Sequence, residues 1–345
     1  MKLTILFGGA SFEHEISIVS AITLKEKLST FDITYIFCDG DHTFYLVEAS
    51  KMKAITFSKG EYKKMPKLTL EQGAFVEKSF LSAKKHGGVV LNLIHGADGE
   101  DGTISSLLDF YGIEYIGPRT AASVFSFDKV YTKYLCDAIG VKSVRYELLK
   151  KSEHKEIAID YPVIVKPARL GSSIGVSIVK DETEIDYALD VAFEFDETVL
   201  IEPFLEGVKE YNLAGYKADG EIKFSIVEEP HKEEFLDFDK KYMDFSRSEQ
   251  VLNAEISEEL TNKLQSNFKK VYDGLFDGAL IRCDFFVHED EVLLNEINPI
   301  PGSMANYLFE DFSASIEELA ASLPEKKRIT TQYEYIHSIS KAKGK

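Results

Sequence analysis

The chain has 345 residues, 44% of them hydrophobic, and its 40 basic and 58 acidic side chains give a formal net charge of −18. A chain of this length usually forms about two or three domains with a sizeable core. The charge disfavours nucleic acid and anionic membranes as partners, and no apolar run approaches the roughly 18 residues of a membrane span. The first residues lack a signal-peptide pattern, and three widely spaced cysteines form neither a disulfide framework nor a metal pair. We therefore predict a cytoplasmic protein.

The first third of the chain alternates short apolar runs with stretches of helical periodicity. This alternation predicts a mostly parallel α/β sheet in a domain that covers residues 1–117. The pattern is irregular over 39–88, where 44–47 is a candidate strand and the lysine-rich 59–67 is interpreted as a solvated surface elaboration. The predicted strands are 3–7, 33–37, 89–93 and 113–116, and the predicted helices are 15–28 and 104–111.

The rest of the chain favours two smaller α+β units, because strands and helices no longer alternate regularly. The first unit, 118–201, has predicted helices at 128–139 and 182–193 and strands at 163–166, 176–179 and 198–201. The second unit, 202–325, has predicted strands at 210–216 and 222–227, a helix at 257–275, and a hairpin of 279–287 with 292–297. A polar tail follows at 326–345.

The hairpin carries the clearest chemical pattern. Residues two apart on a strand share a face, so Arg282 points with Asp284, and Glu296 points with Asn298. A loop of about three residues, 289–291, would place Asp284 opposite Glu296. Two carboxylates and an amide oxygen on one face suit Mg²⁺, and the arginine suits a phosphoryl group. The alternative is a surface salt bridge, which the apolar flanking residues disfavour.

Three glycine-containing loops each leave two interpretations open. Lys166 ends an apolar strand before a glycine-serine turn, which could hold phosphate oxygens or be an ordinary turn. Glu13 and Glu15 lie where a glycine turn opens a helix, as ligand groups or as partners of the helix dipole. His95 lies in the loop 93–102 at the carboxyl end of a strand, where ligands bind in open α/β sheets, although a lone histidine is often structural.

Together, and in this order, the motifs resemble those of the D-alanine–D-alanine ligases in the ATP-grasp superfamily. The resemblance covers nearly the whole chain and implies a three-domain architecture. An N-terminal parallel α/β domain precedes two α+β domains that sandwich ATP. The matching segments are GGASFEHEIS (8–17), HGADGEDG (95–102), Asp128-Lys129, IVKPARLGSSIGV (164–176), LIEPFLEG (200–207), RCDF (282–285) and NEINPIPG (295–302).

The resemblance also implies which residues bind the nucleotide and its metal ions. ATP and two Mg²⁺ or Mn²⁺ ions are the implied cofactors. The implied phosphate ligands are Lys129 and Lys166, with Lys241 also in the nucleotide site. Adenine is assigned to Glu202 and Leu205, the ribose to Glu210, and the metal ions to Asp284, Glu296 and Asn298.

A second set of residues is implied for two molecules of D-alanine. Glu13 would hold the ammonium group of the first, beside His95. Ser172 and Tyr242 would form a hydrogen-bonded triad with Glu13, and the polar stretch 228–249 would close over the site. The tetrahedral oxyanion is assigned to Arg282 and the backbone at Gly302, and the second carboxylate to the pair Tyr307-Leu308.

Two positions depart from the family pattern. Pro203 replaces a lysine that commonly follows the hinge glutamate, and proline supplies neither an N–H nor a charge. We therefore expect weaker adenine contacts. Tyr307 replaces the usual serine of a serine-leucine pair, and its phenol can still donate a hydrogen bond.

The function that the resemblance implies is ATP-dependent formation of D-alanyl-D-alanine for peptidoglycan synthesis, through a D-alanyl phosphate, by a homodimer. One alternative is a D-alanine–D-lactate ligase or another carboxylate–amine ligase of the same fold, although Tyr242 favours D-alanine as the acceptor. Two further alternatives are a carboxylate kinase that releases its acyl phosphate and a nucleotide-binding regulator without turnover.

Overall fold

The computed structural model describes residues 1–80, 82–153, 157–230, 251–326 and 329–343. Lys241 and Tyr242 lie outside these ranges. The described chain folds around three sheets, one with four parallel strands in one half and two that are wholly antiparallel. None of the helices within the described ranges is long and apolar enough to cross a membrane.

The first sheet has eight strands in the order β6-β5-β4-β3-β2-β1-β7-β8. Strands β2, β1, β7 and β8 are parallel to one another, as the sequence predicted, whereas β3 pairs with β2 in the antiparallel direction, so the sheet is parallel in only half of its strands. The strands are β1 Lys2–Gly8, β2 Asp32–Cys38, β3 Phe44–Val47, β4 Lys67–Glu71, β5 Ala74–Lys78, β6 Ala83–His86, β7 Val89–Asn92 and β8 Tyr115–Ile116. The helices of this region are α1 His14–Lys27, α2 Ala54–Ser58 and α3 Thr103–Phe110.

The segment 39–88 is more regular than predicted. Strands β3 to β6 extend the sheet as an antiparallel meander. The outer strands carry lysines, and charged side chains near the edge of a sheet prevent its pairing with another chain. These lysines interrupt the alternation of hydrophobic and polar residues by which a strand is recognised. The interpretation of 59–67 as surface holds for its exposed lysines, although Lys67 already begins β4.

The second sheet has the order β11-β10-β12-β9, and one of its faces packs against α6 while the start of α5 packs on the other. Strand β9 was not predicted. This region contains α4 Thr120–Phe127, α5 Lys129–Ile139, β9 Glu147–Lys150, β10 Val163–Pro167, β11 Ser177–Val179, α6 Ile185–Phe193 and β12 Thr198–Pro203. The carboxylate of Asp128 accepts hydrogen bonds from the backbone of Val130 and Tyr131, which fixes the start of α5, and Gly140 ends it in a left-handed conformation.

The third sheet has the order β14-β13-β15-β16. Its apolar face packs with α7 in one core cluster. The elements are β13 Lys209–Ala218, β14 Glu221–Glu228, α7 Glu258–Tyr272, β15 Ile281–His288, β16 Glu291–Asn298, a 3-10 turn Gly302–Leu308, α8 Phe312–Ala321 and α9 Glu334–Lys343. The turn and α8 pack into the core of the first sheet, so the C-terminal part is joined to the N-terminal part.

The hairpin has the predicted pairing but not the predicted loop. Arg282 lies opposite Asn298, and Asp284 lies opposite Glu296. The connection is a two-residue turn of Glu289 and Asp290, both with positive φ, instead of three residues. A β-bulge after Asp284 shifts the register by the missing residue, and the facing pairs are therefore retained.

Candidate active site

The loop between β1 and α1 is shaped by its glycines and by a neighbouring loop. Gly8 has a φ of 103°, and a Cβ there would overlap the carbonyl oxygen of Cys38. The backbone N–H of Gly9 donates to that carbonyl oxygen, and the N–H of Ala10 donates to Oδ2 of Asp98 over 2.7 Å. Asp98 therefore ties the β1–α1 loop to the loop after β7, and α1 starts from a fixed point.

Glu13 lies immediately before α1, and its buried side chain makes no capping hydrogen bond to the described helix backbone. Its Oε1 accepts a hydrogen bond from Ser172 Oγ at 2.5 Å, whereas its Oε2 has no hydrogen-bond partner among the described residues. Burial raises the pKa of Glu13 to about 7, and the charge of Glu100 acts in the same direction. A buried carboxylate with one unsatisfied oxygen is suited to a cationic ligand group.

The space around this carboxylate depends on two more glycines. A Cβ at Gly96 would lie 2.8 Å from Glu13 Oε2, and a Cβ at Gly171 would lie 2.9 Å from Oε1. Side chains at these positions would therefore press on the carboxylate. Glu13 lines a cleft of about 840 Å³ between the first sheet and the second, together with Tyr131 and Arg169.

His95 is 3% exposed and lies between two polar side chains. Its Nδ1 is 3.4 Å from Oε1 of Glu100, and its Nε2 is 3.1 Å from Oγ of Ser20. Burial lowers the pKa of His95 to about 4, so the ring is neutral at pH 7. Burial also raises the pKa of Glu100 to about 8, and Glu296 contributes to this increase. Neither Glu100 nor Ser20 was assigned a role from the sequence.

Ser20 connects this region to the turn Gly302–Leu308. Its Oγ accepts a hydrogen bond from the backbone N–H of Ser303 at 3.1 Å. Ser303, Met304 and Ala305 all have left-handed φ values, of 45°, 53° and 50°. Such conformations cost about 1–2 kcal/mol for each non-glycine residue, so this turn persists only because its surroundings hold it.

Arg282 and Asp284 form a bidentate ion pair on one face of β15. The guanidinium Nε and Nη2 donate to the two carboxylate oxygens of Asp284 over 2.7 and 2.8 Å. The Nδ2 of Asn298 donates to the same carboxylate at 3.0 Å. The Nη1 of Arg282 donates to the phenol oxygen of Tyr307 at 3.2 Å, so the tyrosine that replaces the usual serine points toward this ion pair. Leu308, beside it, has no exposed surface and lies in the hydrophobic core.

Two lysines of the second unit lie near acidic side chains, Lys129 near Glu296 of the third sheet and Lys166 beside Glu202 on β12. Lys129, at the start of α5, donates to the carbonyl oxygen of Leu170 at 2.6 Å and lies 3.7 Å from Oε1 of Glu296. Lys166, on β10, donates to Oε2 of Glu202 at 2.7 Å. Nearby, Leu205 packs against a small cluster that includes Phe286, the residue opposite Glu210 on β15.

The structure therefore brings most of the predicted residues into connected groups. Glu13 and Ser172 form one group, and the charges of Glu100 and Glu296 both act on Glu13. A second group consists of Arg282, Asp284, Asn298 and Tyr307. Lys133, which contacts Glu202, was not predicted as a site residue. Its only sequence signal is a position one helical turn after Lys129.

The architecture is that of the ATP-grasp class of ligases, because two antiparallel sheets lie beside an α/β domain, with Lys129 and Lys166 in the second unit and the buried carboxylate of Glu13 in the first. Comparisons with known proteins specify the family. The model described as D-ala D-ala ligase N-terminus matches residues 2–118, and that described as D-ala D-ala ligase C-terminus matches residues 135–317. The chain belongs to the D-alanine–D-alanine ligase family and is an ATP-dependent ligase.

Individual members of this family match the chain over its full length. The chain is 71% identical to the D-alanine–D-alanine ligase of Sulfurimonas denitrificans and 59% identical to that of a Sulfurovum species, with 100% of both chains covered in each case. The crystal structure of the Helicobacter pylori D-alanine–D-alanine ligase is similar, with a TM-score of 0.85 and 50% identity over 95% of this chain and 100% of that one. The predicted family, fold class and enzyme type are confirmed.

Proposed function

We propose that the chain joins two molecules of D-alanine into D-alanyl-D-alanine for peptidoglycan synthesis, with conversion of ATP to ADP and phosphate. The observation that carries this proposal is Oε2 of Glu13, which lies buried at the wall of a cleft and has no hydrogen-bond partner among the residues that the structure describes, in a chain of this family. An ammonium group at that oxygen would satisfy it, because a buried carboxylate needs a charged or hydrogen-bonding partner.

In the first step, the carboxylate of the first D-alanine attacks the γ-phosphoryl group of ATP, and ADP leaves. Glu13 holds the ammonium group, and Ser172 fixes the orientation of Glu13 through its 2.5 Å hydrogen bond. Lys129 and Lys166 offset negative charge on the phosphates, the main requirement of phosphoryl transfer. The product of this step is D-alanyl phosphate.

In the second step, the amine of the second D-alanine attacks the carbonyl carbon of the acyl phosphate. A C–N bond forms, and negative charge develops on the carbonyl oxygen of the tetrahedral intermediate. The C–O bond to phosphate then breaks, and the nitrogen loses a proton, which the leaving phosphate takes up. Arg282 and the backbone N–H at Gly302 stabilise that oxygen. The left-handed turn after Gly302 keeps this backbone in place, and Tyr307 orients the guanidinium through its 3.2 Å contact while lying near the second carboxylate.

We further propose that Asp284, Glu296 and Asn298 hold magnesium or manganese. Among the residues that the structure describes, no group of three His, Cys, Asp or Glu side chains is placed to hold a metal. The proposal adds the amide of Asn298 to the two carboxylates. Two carboxylates and an amide on paired strands are suitable hard donors. The metal would supply positive charge to the phosphate oxygens. It would compete with Arg282 for Asp284, because both oxygens of that carboxylate now accept hydrogen bonds.

The remaining assignments belong to the same proposal. Leu205 and Glu202 lie at the hinge for adenine, Glu210 is placed for the ribose, and Leu308 contributes its backbone to the second carboxylate. Lys241 and Tyr242 act from the closing loop. The domains are 1–117, 118–201 and 202–325, with a tail at 326–345, and the working form is a cytoplasmic homodimer.

The direct test is to incubate the pure protein with ATP, Mg²⁺ and D-alanine and to quantify ADP, phosphate and dipeptide together. We expect one dipeptide for each ADP. Phosphate release without dipeptide would contradict the proposal, and an acyl hydroxamate formed with hydroxylamine but no amine-dependent product would indicate a carboxylate kinase. Replacing the acceptor by D-lactate should give little ester at neutral pH.

A further inference from the structure

A buried carboxylate lies between two lysines on the face of the second sheet that packs against α5. Oε1 of Glu202 is 2.5 Å from Nζ of Lys133, and Oε2 is 2.7 Å from Nζ of Lys166. The two lysines come from different elements, α5 and β10, and Glu202 comes from β12. The arrangement therefore depends on the folded chain and not on local sequence.

Lys133 is the more deeply placed of the two lysines. Its side chain is 4% exposed, whereas that of Lys166 is 15% exposed. Its Nζ also donates to the carbonyl oxygen of Val144 at 2.9 Å and lies 5.6 Å from the centre of the Tyr146 ring. Buried lysines are rare unless paired, and these contacts stabilise the charge of Lys133 within the protein.

The charges of the three groups do not cancel. Two ammonium groups and one carboxylate leave a net charge of +1, and Lys166 is the member with more access to the site. Burial opposes ionisation of Glu202, but Lys166 and Lys133 more than offset it, and the pKa of Glu202 is lowered. Without Lys133, one carboxylate would face one lysine, and the charge of Lys166 would be neutralised within the protein.

We propose that Lys133 is a positioning residue that holds and neutralises Glu202, so that the positive charge of Lys166 remains available to the phosphates of the nucleotide. The inference rests on the proposed nucleotide role of Lys166. Lys133 itself touches no substrate. Its effect is electrostatic, and it acts on phosphate binding and not on the D-alanine site around Glu13.

The test uses inorganic triphosphate with Mg²⁺, which has phosphates but no adenine, so that contacts of Glu202 with the base do not enter. Binding is measured by calorimetry on the full chain for the wild type, Lys133→Met, Lys166→Met and the control Lys142→Met. Lys142 follows α5 and pairs with the exposed Glu291 at the surface. We expect Lys133→Met to weaken triphosphate binding about 10- to 30-fold, as loss of a charged interaction implies, and Lys142→Met to have no effect.

The decisive variant is the double substitution Lys133→Met with Glu202→Gln. It removes the carboxylate that would otherwise neutralise Lys166, so triphosphate affinity should return to within about threefold of the wild type. A purely structural role of Lys133 would give no such recovery. If Lys133→Met does not fold, Lys133→Gln keeps a hydrogen-bond donor without the charge and should still weaken binding.

The outcomes separate this inference from the proposed function. Unchanged affinity in Lys133→Met, or no recovery in the double variant, would overturn the role of Lys133 alone. Unchanged affinity in Lys166→Met would overturn the phosphate role of Lys166 and this inference with it. Failure of the wild type to form dipeptide would instead contradict the proposed reaction.

Discussion

Replacing Glu13 by Gln should have opposite effects on activity and on stability. The variant keeps the shape of the side chain and the acceptor for Ser172 Oγ, but it removes the negative charge from a buried position. An ammonium ligand would then lose a charged partner in a site shielded from water. Loss of one member of such a pair costs about 2–4 kcal/mol, which corresponds to roughly a 30- to 1,000-fold increase in KM for the first D-alanine.

The stability effect follows from the pKa of the carboxyl group. The pKa of Glu13 rises from 4.5 to about 7 on folding, chiefly through burial. The folded state therefore binds the proton more tightly, and ionisation destabilises it increasingly as pH rises from about 4.5 to 7. Above pH 7 the penalty is complete, at about 3 kcal/mol. Glu13→Gln should raise the free energy of unfolding by that order at pH 8 and change it little at pH 4.

Two assays check both effects. Urea unfolding at pH 4 and pH 8 measures stability, and steady-state kinetics with varied D-alanine measures KM. The matched control is Glu15→Gln, an exposed carboxylate in the first turn of the same helix. It should change the free energy of unfolding by no more than about 1 kcal/mol and KM by no more than about fivefold. A Glu13→Gln variant with unchanged KM, or one that is less stable than the wild type at pH 8, would refute the reasoning.

Three further substitutions test other parts of the site. Glu296→Gln should abolish Mg²⁺-dependent turnover, and it should leave the free energy of unfolding nearly unchanged because the side chain is only half-buried. The control Glu291→Gln, on the same strand, should stay active. Activity of Glu296→Gln within a few-fold of the wild type would show that Glu296 is not a metal ligand. Tyr307→Phe removes the acceptor for Arg282 and should raise KM for the second D-alanine about tenfold, and an unchanged value would show that the phenol is dispensable. Ser20→Ala removes the partner of Ser303 and of His95 and should lower the free energy of unfolding by about 1–3 kcal/mol, which a shift of less than about 0.5 kcal/mol in urea titrations would contradict.

The hairpin shows how far sequence reasoning reaches. The strict two-residue period of a strand puts Arg282 with Asp284 on one face, and this holds regardless of loop length. The loop was predicted one residue too long, and the bulge after Asp284 compensated for it. Bulges have no clear sequence signal. The prediction that Asp284 faces Glu296 was therefore correct, although the loop length on which it was based was wrong.

Two other features lay beyond the sequence for physical reasons. Strands β4 to β6 carry lysines because they lie toward the edge of the sheet, and this removes the alternation that identifies a strand. The contact of Lys133 with Glu202 joins a helix and a strand that are distant in the chain, and no periodicity within either element encodes it. The roles of Glu13 and Ser172, by contrast, were implied by family resemblance, and the structure places their side chains in contact.

The measurement that tests the central claim most directly follows the oxygen atoms of D-alanine. The protein is supplied with ATP, Mg²⁺ and D-alanine whose carboxylate carries a heavy isotope of oxygen, and the phosphate product is analysed by mass spectrometry. Attack of the carboxylate on ATP followed by attack of the amine on the acyl phosphate transfers one labelled oxygen to each phosphate released with dipeptide. Dipeptide formed together with unlabelled phosphate would contradict the acyl phosphate and the roles assigned to Glu13, Lys166 and Arg282.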